Sequence, residues 1–133
     1  MSADGEGMQF TMLGRIDEFD SGGLARCYAY PDDLQECWVR ANMIASVDGG
    51  ATSAGKSGDL GGDGDHAVFG ALREAADVIV VGASTARVED YSGVRFSTAQ
   101  RRTRQQRGQA DVPPIAVLTR SGRLERDAKL FHR

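Results

Sequence analysis

The stretch Trp38-Val39-Arg40-Ala41-Asn42-Met43-Ile44-Ala45-Ser46-Val47-Asp48-Gly49-Gly50 constrains the fold more than any other. Val39, Ala41, Met43, Ala45 and Val47 recur at every second position, with Arg40, Asn42, Ser46 and Asp48 on the opposite face. That alternation predicts a strand with one face on a core. Asp48-Gly49-Gly50 ends it and places a carboxylate just beyond the carboxyl end of a strand, where open α/β sheets bind ligands. Asp-Gly is also a turn pair, so Asp48 reads either as a group of the cleft or as a turn residue.

The remaining elements alternate in the α/β manner. Residues 1–9 are polar and read as disordered, and Phe10 to Tyr30 as short helical pieces around a Gly-Arg turn. Asp65 is a good N-cap, and Val68, Phe69, Leu72, Ala75 and Ala76 follow at helical spacing, which predicts a helix ending at Ala76. Arg73 shares a face with Phe69, four residues before it, or pairs as a surface arginine with Glu74 or Asp77. Asp77-Val78-Ile79-Val80-Val81-Gly82 is a continuous β-branched run, expected to be a parallel strand buried on both faces. Ser84-Thr85 open a short helix toward Glu89-Asp90, and such a junction offers backbone N–H groups to an anion. Tyr91 to Asp111 is polar and arginine-rich and reads as a long surface loop. Ile115-Ala116-Val117-Leu118 is the next buried strand, and the hydroxyls and guanidinium of Thr119-Arg120-Ser121-Gly122 at its end suit a phosphate monoester, although the same four residues also make an ordinary turn.

Between the first strand and the helix lies a segment with Gly49, Gly50, Gly55, Gly58, Gly61, Gly62 and Gly64. Each glycine costs backbone entropy to order, so this segment is expected to be a mobile loop. Within it, Gly50-Ala51-Thr52-Ser53-Ala54-Gly55-Lys56-Ser57 satisfies the Walker A pattern. A P-loop needs a helix starting at the Lys-Ser end, with its N-terminus toward the phosphates. Here Gly58-Asp59-Leu60-Gly61-Gly62-Asp63-Gly64-Asp65 follows, which is hostile to a helix and negatively charged. The P-loop reading therefore ranks last.

Taken together, Tyr28-Ala29-Tyr30-Pro31, the Trp38–Gly49 stretch, Gly55-Lys56-Ser57-Gly58, Leu72-Arg73 with Val80-Val81-Gly82-Ala83-Ser84-Thr85-Ala86-Arg87-Val88-Glu89, and Pro113 to Gly122 resemble the reductase domain of riboflavin biosynthesis. That is the NADPH-dependent pyrimidine reductase family, with a dihydrofolate-reductase-like fold. The resemblance runs from Tyr28 to the last residue and implies a three-layer α/β/α fold with a mostly parallel mixed sheet. Family domains run to about 200 residues, so 28–133 is expected to be the N-terminal half of one domain, after a tail and edge segment at 1–27. The remaining strands and a glycine-rich segment against the cofactor pyrophosphate would lie further on.

The resemblance also implies an activity and a site. The reaction would reduce the ribosyl group of a phosphoribosylamino-pyrimidine of diaminouracil type, with NADPH as cofactor, in a cytoplasmic homodimer. Asp48, from its own place on the polar face at the strand's ligand end, is expected to be catalytic. The Ala45 backbone would hold the nicotinamide carboxamide, and Thr85 and Glu89 the cofactor. Gly82, Ser84 and Thr85 with Thr119, Arg120 and Ser121 would flank the adenosine ribose and its 2′-phosphate. Ser57, on a loop covering the substrate, and Arg73 would meet the substrate. Asp65 four residues before Phe69 is similar to the acid and aromatic pair that grips a pterin in dihydrofolate reductases, so a pterin reductase is the second reading. A non-catalytic fragment or binding module is the third.

Composition narrows the partners. The chain has 133 residues and a formal net charge of -3, which gives no basic footprint for nucleic acid or an anionic membrane. Arg101, Arg102, Arg104 and Arg107 form a local basic run without aromatic residues for base stacking, and read as a solvated surface loop. The first ten residues hold no apolar run of signal-peptide or membrane-span length. Cys27 and Cys37 lack CxxC spacing, and His66 and His132 are remote from both, so neither a disulfide framework nor a zinc site is indicated. The zinc-deaminase signature is likewise absent from the sequence. Three apolar strands need covering on their faces, so residues 1–133 alone are expected to be aggregation-prone or molten and to bind NADPH weakly. The Walker-like octapeptide is expected to be silent: calorimetry with magnesium and ATP should give no heat that Lys56→Ala abolishes, and a Lys56-dependent ATP signal would reinstate the P-loop.

Overall fold

The computed structural model describes residues 8–12, 15–19 and 21–132. They fall into two compact units: one is formed by the described residues up to Asn42 together with Gly61–Ala75, the other by Met43–Leu60 and the residues from Ala76 onward.

In the first unit, β1 (Met8–Met12) pairs antiparallel with β2 (Arg15–Phe19), with Met8 opposite Phe19 and Met12 opposite Arg15. Helix α1 (Ser21–Cys27) and helix α2 (Asp63–Ala75) pack on each other and on this hairpin, with Leu24 buried. The short helical pieces expected from Phe10 onward are thus a hairpin followed by one helix. Met8, Phe10 and Met12 alternate with Gln9 and Thr11, a period-two signal that marks β1. Residues 1–7 of the expected disordered tail lie outside the described residues, as do Leu13 and the Gly14 of the expected turn. Met8 and Gln9 belong to β1. Helix α2 begins two residues before Asp65, which therefore sits inside its first turn instead of capping it. An acidic first turn still suits the positive end of the helix dipole.

The second unit is built on β3 (Ile79–Gly82) and β4 (Ile115–Leu118), which pair parallel: Ile79 with Ile115, Val80 with Ala116, Val81 with Val117 and Gly82 with Leu118. Parallel neighbours need a crossover, and residues 83–114 supply it through α3 (Ala83–Val88) and α4 (Thr98–Gln106). Helix α3 covers one face of the pair, where Val81, Ala83 and Ala86 are buried. The other face is open among the described residues. Val81 is 8% exposed, but Val80 is 66% and Leu118 74% exposed, which corrects the expectation of a strand buried on both faces.

Two further expectations fail for identifiable reasons. Residues 38–46 carry no ladder, and Val39 and Met43 are 84% and 88% exposed. An alternating stretch becomes a strand only when a neighbour accepts its backbone hydrogen bonds, and none of the described strands does. The polar stretch after Tyr91 is not all loop, because α4 lies within it. Ser97 Oγ accepts from the Gln100 N–H at 3.3 Å, and Gln100 Oε1 accepts from the Ser97 N–H at 3.0 Å. This capping box offsets the low apolar content of the helix.

The arginine run on α4 is not uniformly solvated. Arg104 is 0% exposed. Its Nε donates to the Ala110 carbonyl at 2.8 Å and one terminal nitrogen to the Ala76 carbonyl at 2.8 Å, while its guanidinium lies 5.7 Å from the centre of the Phe96 ring. One side chain therefore ties α4 to the backbone ahead of β3 and ahead of β4. Removing it leaves two carbonyls and a cavity, so Arg104→Ala should cost about 2 to 4 kcal/mol of stability, read from the urea midpoint. The same change at exposed Arg102 should stay within about 0.5 kcal/mol. Equal effects at the two positions would contradict the anchoring role.

Candidate functional site

The parallel pairing decides which loops share an edge. Gly82 ends β3 opposite Leu118 at the end of β4, so Ala83-Ser84-Thr85 and Thr119-Arg120-Ser121 leave the sheet side by side at its carboxyl edge. Helix α3 starts at once after Gly82, an N-cap with extended backbone (φ -70°, ψ 141°) and no side chain to cap the helix. At the other loop, Thr119 Oγ1 accepts from the Gly122 N–H at 3.2 Å and Ser121 Oγ from the Arg123 N–H at 3.3 Å. Gly122 has φ +66°, which turns the chain back. Both hydroxyls thus act as acceptors toward their own loop and keep their protons to donate outward. Ser84, Thr85, Arg120 and Ser121 are exposed. Hydroxyl donors and a guanidinium thus follow the same strand edge, a donor set matched to phosphate oxygens.

Asp48 stands in a tight turn. The Ser46 hydroxyl donates to its carboxylate, the Gly50 N–H donates to Ser46 Oγ at 2.9 Å, and Ser46 N–H donates to the Gly50 carbonyl at 2.8 Å. Gly49 takes φ +88°, which only glycine adopts without strain. The Ser46 hydroxyl, helped by the backbone N–H groups of Asp48 and Gly50, holds the Asp48 carboxyl below the usual carboxylate range. The group is ionised at neutral pH, suited to accepting hydrogen bonds from a ligand rather than donating a proton. Ala45, just before this turn, is exposed.

The glycine-rich segment contains two local turns. Ser53 and Lys56 exchange backbone hydrogen bonds of 2.7 and 2.9 Å around Ala54 and Gly55, with φ +48° and +83°. This is the pattern of a type I′ turn, and a single 3₁₀ turn follows at Gly58–Leu60. No helix starts at Lys56, and the Ser57 N–H that a P-loop would aim at phosphate donates to Glu89 Oε1 at 2.7 Å instead. The octapeptide is a Walker sequence without Walker geometry.

Ser57 and Glu89 are joined directly, since the Ser57 hydroxyl also donates to Glu89 Oε1 at 2.7 Å. The Ser57 N–H first, then its hydroxyl, the Gly58 N–H and the nearby Lys56 charge hold the Glu89 carboxyl below its ordinary value.

Asp65 and Arg73 belong to α2 in the first unit. The Arg73 guanidinium lies 4.7 Å from the centre of the Phe69 ring, a cation–π contact that the four-residue spacing allows. A Cβ at Gly61 would come within 2.6 Å of Asp65 Oδ2, so the close approach of the backbone to this carboxylate depends on glycine. Also in that unit, Arg40 donates to the Tyr28 carbonyl at 2.7 Å and lies 5.6 and 4.9 Å from the centres of the Tyr28 and Tyr30 rings. Sequence reasoning noted these three residues but not their contact. Among the described residues no group of three metal-ligating side chains forms, and no helix is long and apolar enough to cross a membrane.

With this geometry in hand, comparison with known proteins places the chain. The profile of the RibD C-terminal domain matches residues 37–133. The chain belongs to the RibD C-terminal domain family. That is a riboflavin-pathway reductase family, and the matched span contains the Asp48 turn, the Ser57–Glu89 contact and both loops at the carboxyl edge. A pyrimidine reductase-like protein from Corynebacterium diphtheriae has a similar solved structure, with a TM-score of 0.61 and 36% identity. The similarity covers 65% of this chain and 35% of that one. No curated protein sequence matches the chain.

The lowered carboxyls fix a pH dependence. A group whose folded pKa is depressed contributes stability above its unfolded value, and that contribution is lost as pH falls through the folded value. Asp48 and Glu89 should therefore each titrate below the ordinary aspartate and glutamate values, with the Ser57 amide signal following Glu89. Carbon-13 NMR of the carboxyls checks this, and midpoints at or above those values would contradict the turn and the Ser57 contact.

Proposed function

We propose that this chain contributes the N-terminal half of an NADPH-dependent reductase, whose substrate is a phosphoribosylamino-pyrimidine of diaminouracil type in riboflavin biosynthesis. The observation that carries the reading is the parallel pairing of β3 with β4, which sets Gly82, Ser84 and Thr85 beside Thr119, Arg120 and Ser121. Family membership and the 36% identical pyrimidine reductase-like structure support the same class of chemistry.

In this reading the donor set of the carboxyl edge fits the phosphorylated adenosine end of the cofactor. Arg120 and the outward hydroxyl protons of Thr119 and Ser121 take the 2′-phosphate, and Gly82, Ser84 and Thr85 take the neighbouring ribose. The Ala45 backbone holds the nicotinamide carboxamide. When bound, the nicotinamide supplies the hydride, and the protein supplies position and electrostatics. Asp48, ionised and held by Ser46, accepts hydrogen bonds from the substrate and orients it. The charge of Arg73 suits a phosphorylated pyrimidine better than an uncharged pterin.

In the complete protein, Arg120→Ala should weaken NADPH binding about tenfold or more and leave NADH binding unchanged, because only NADPH carries the 2′-phosphate and losing a charged hydrogen bond costs roughly that factor. Calorimetry with both cofactors decides, and equal weakening of the two would remove the phosphate role from this loop.

A further inference from the structure

Glu89 stands at the carboxyl end of α3, and its Oε1 accepts both the backbone N–H and the hydroxyl of Ser57, a residue 32 positions earlier. The segment carrying Ser57 has little else to fix it. The Ser53–Lys56 turn and the Leu60 N–H to Ser57 carbonyl bond of 3.0 Å are contacts within the segment itself. Gly49, Gly50, Gly55 and Gly58 give it a large entropy to lose on ordering. Gly58 also lies against this carboxylate, where a Cβ would sit in ordinary contact 3.6 Å from Glu89 Oε2.

We propose that Glu89 is a positioning residue that locks the glycine-rich loop onto α3 and fixes the direction of the Ser57 hydroxyl, rather than a group that touches the cofactor. The lock has a chemical consequence. A serine hydroxyl has one proton and two lone pairs, and Ser57 donates that proton to Glu89. Toward a ligand it is left as an acceptor, so it selects an amino or hydroxyl donor and does not donate to a phosphate oxygen. This consequence rests on the reading of Ser57 as a substrate contact, whereas the lock itself does not.

Amide hydrogen exchange on the full chain tests the lock without any ligand, so its outcome is independent of the reductase reading. Glu89→Ala should speed exchange of residues 51–60 about tenfold while β3 and β4 keep their rates. Glu89→Gln, which retains a carbonyl acceptor, should restore most of the protection. Ser57→Ala, which keeps the N–H bond and loses the hydroxyl one, should speed the same residues roughly threefold, and it decides the question if Glu89→Ala does not fold. Unchanged exchange of 51–60 in Glu89→Ala or Ser57→Ala would overturn the proposal, as would acceleration of β3 and β4 by the same factor as the loop.

Discussion

Arg104 is the contact on which the second unit depends. Two strands of four residues make a small parallel pair, and parallel pairing rewards the chain only after a long crossover has been closed. The guanidinium closes it from inside: bonded to the carbonyls of Ala76 and Ala110, it holds the chain just ahead of both strands. Because its planar fork presents several donors in fixed directions, one side chain can satisfy carbonyls from two places at once, which a lysine ammonium on a flexible stem does less well. With the strand starts tied together, the strand ends emerge together, and Gly82 and Leu118 deliver their loops to one edge. The proposed ligand edge is thus a consequence of an interaction at the opposite end of the sheet.

Much of the fold was legible in the sequence because its signals are local. The β-branched run before Gly82 and the apolar run before Thr119 gave β3 and β4, and Val68, Phe69, Leu72 and Ala75 gave α2 by spacing alone. What the sequence hid depends on distant partners. Arg104 looks like its exposed neighbours Arg101 and Arg102, and only the fold shows that the Ala76 and Ala110 carbonyls lie within its reach. The reverse holds for Val39, Met43 and Val47, whose alternation is a strand signal that pairing does not realise among the described residues. Two local signals were present but passed over: the Ser97-x-x-Gln100 capping box that starts α4, and the alternation of Met8, Phe10 and Met12 in β1.

The candidate site divides in the same way. Asp48 was ambiguous in sequence between cleft and turn, and the structure gives it a turn in which Ser46 keeps the carboxylate ionised. The two roles are compatible, since the turn is what fixes the charge in place. Ser57 and Glu89 were assigned to different ligands by resemblance, one to substrate and one to cofactor, and their direct contact could not be read from residues so far apart in sequence. The Walker pattern shows the opposite error: eight matching letters describe a composition, but the anion site of a P-loop is made by backbone N–H groups that here are spent on Ser53, Lys56 and Glu89.

The central claim is that the carboxyl edge of the β3–β4 pair receives the adenosine end of NADPH. Amide NMR of the chain titrated with millimolar NADPH, and separately with NADH, tests it most directly. The account predicts that residues 82–85 and 119–122 shift with NADPH, and that the 119–122 shifts are much smaller with NADH, which lacks the 2′-phosphate. NADPH-dependent shifts confined to other residues, or identical 119–122 shifts with both cofactors, would contradict it.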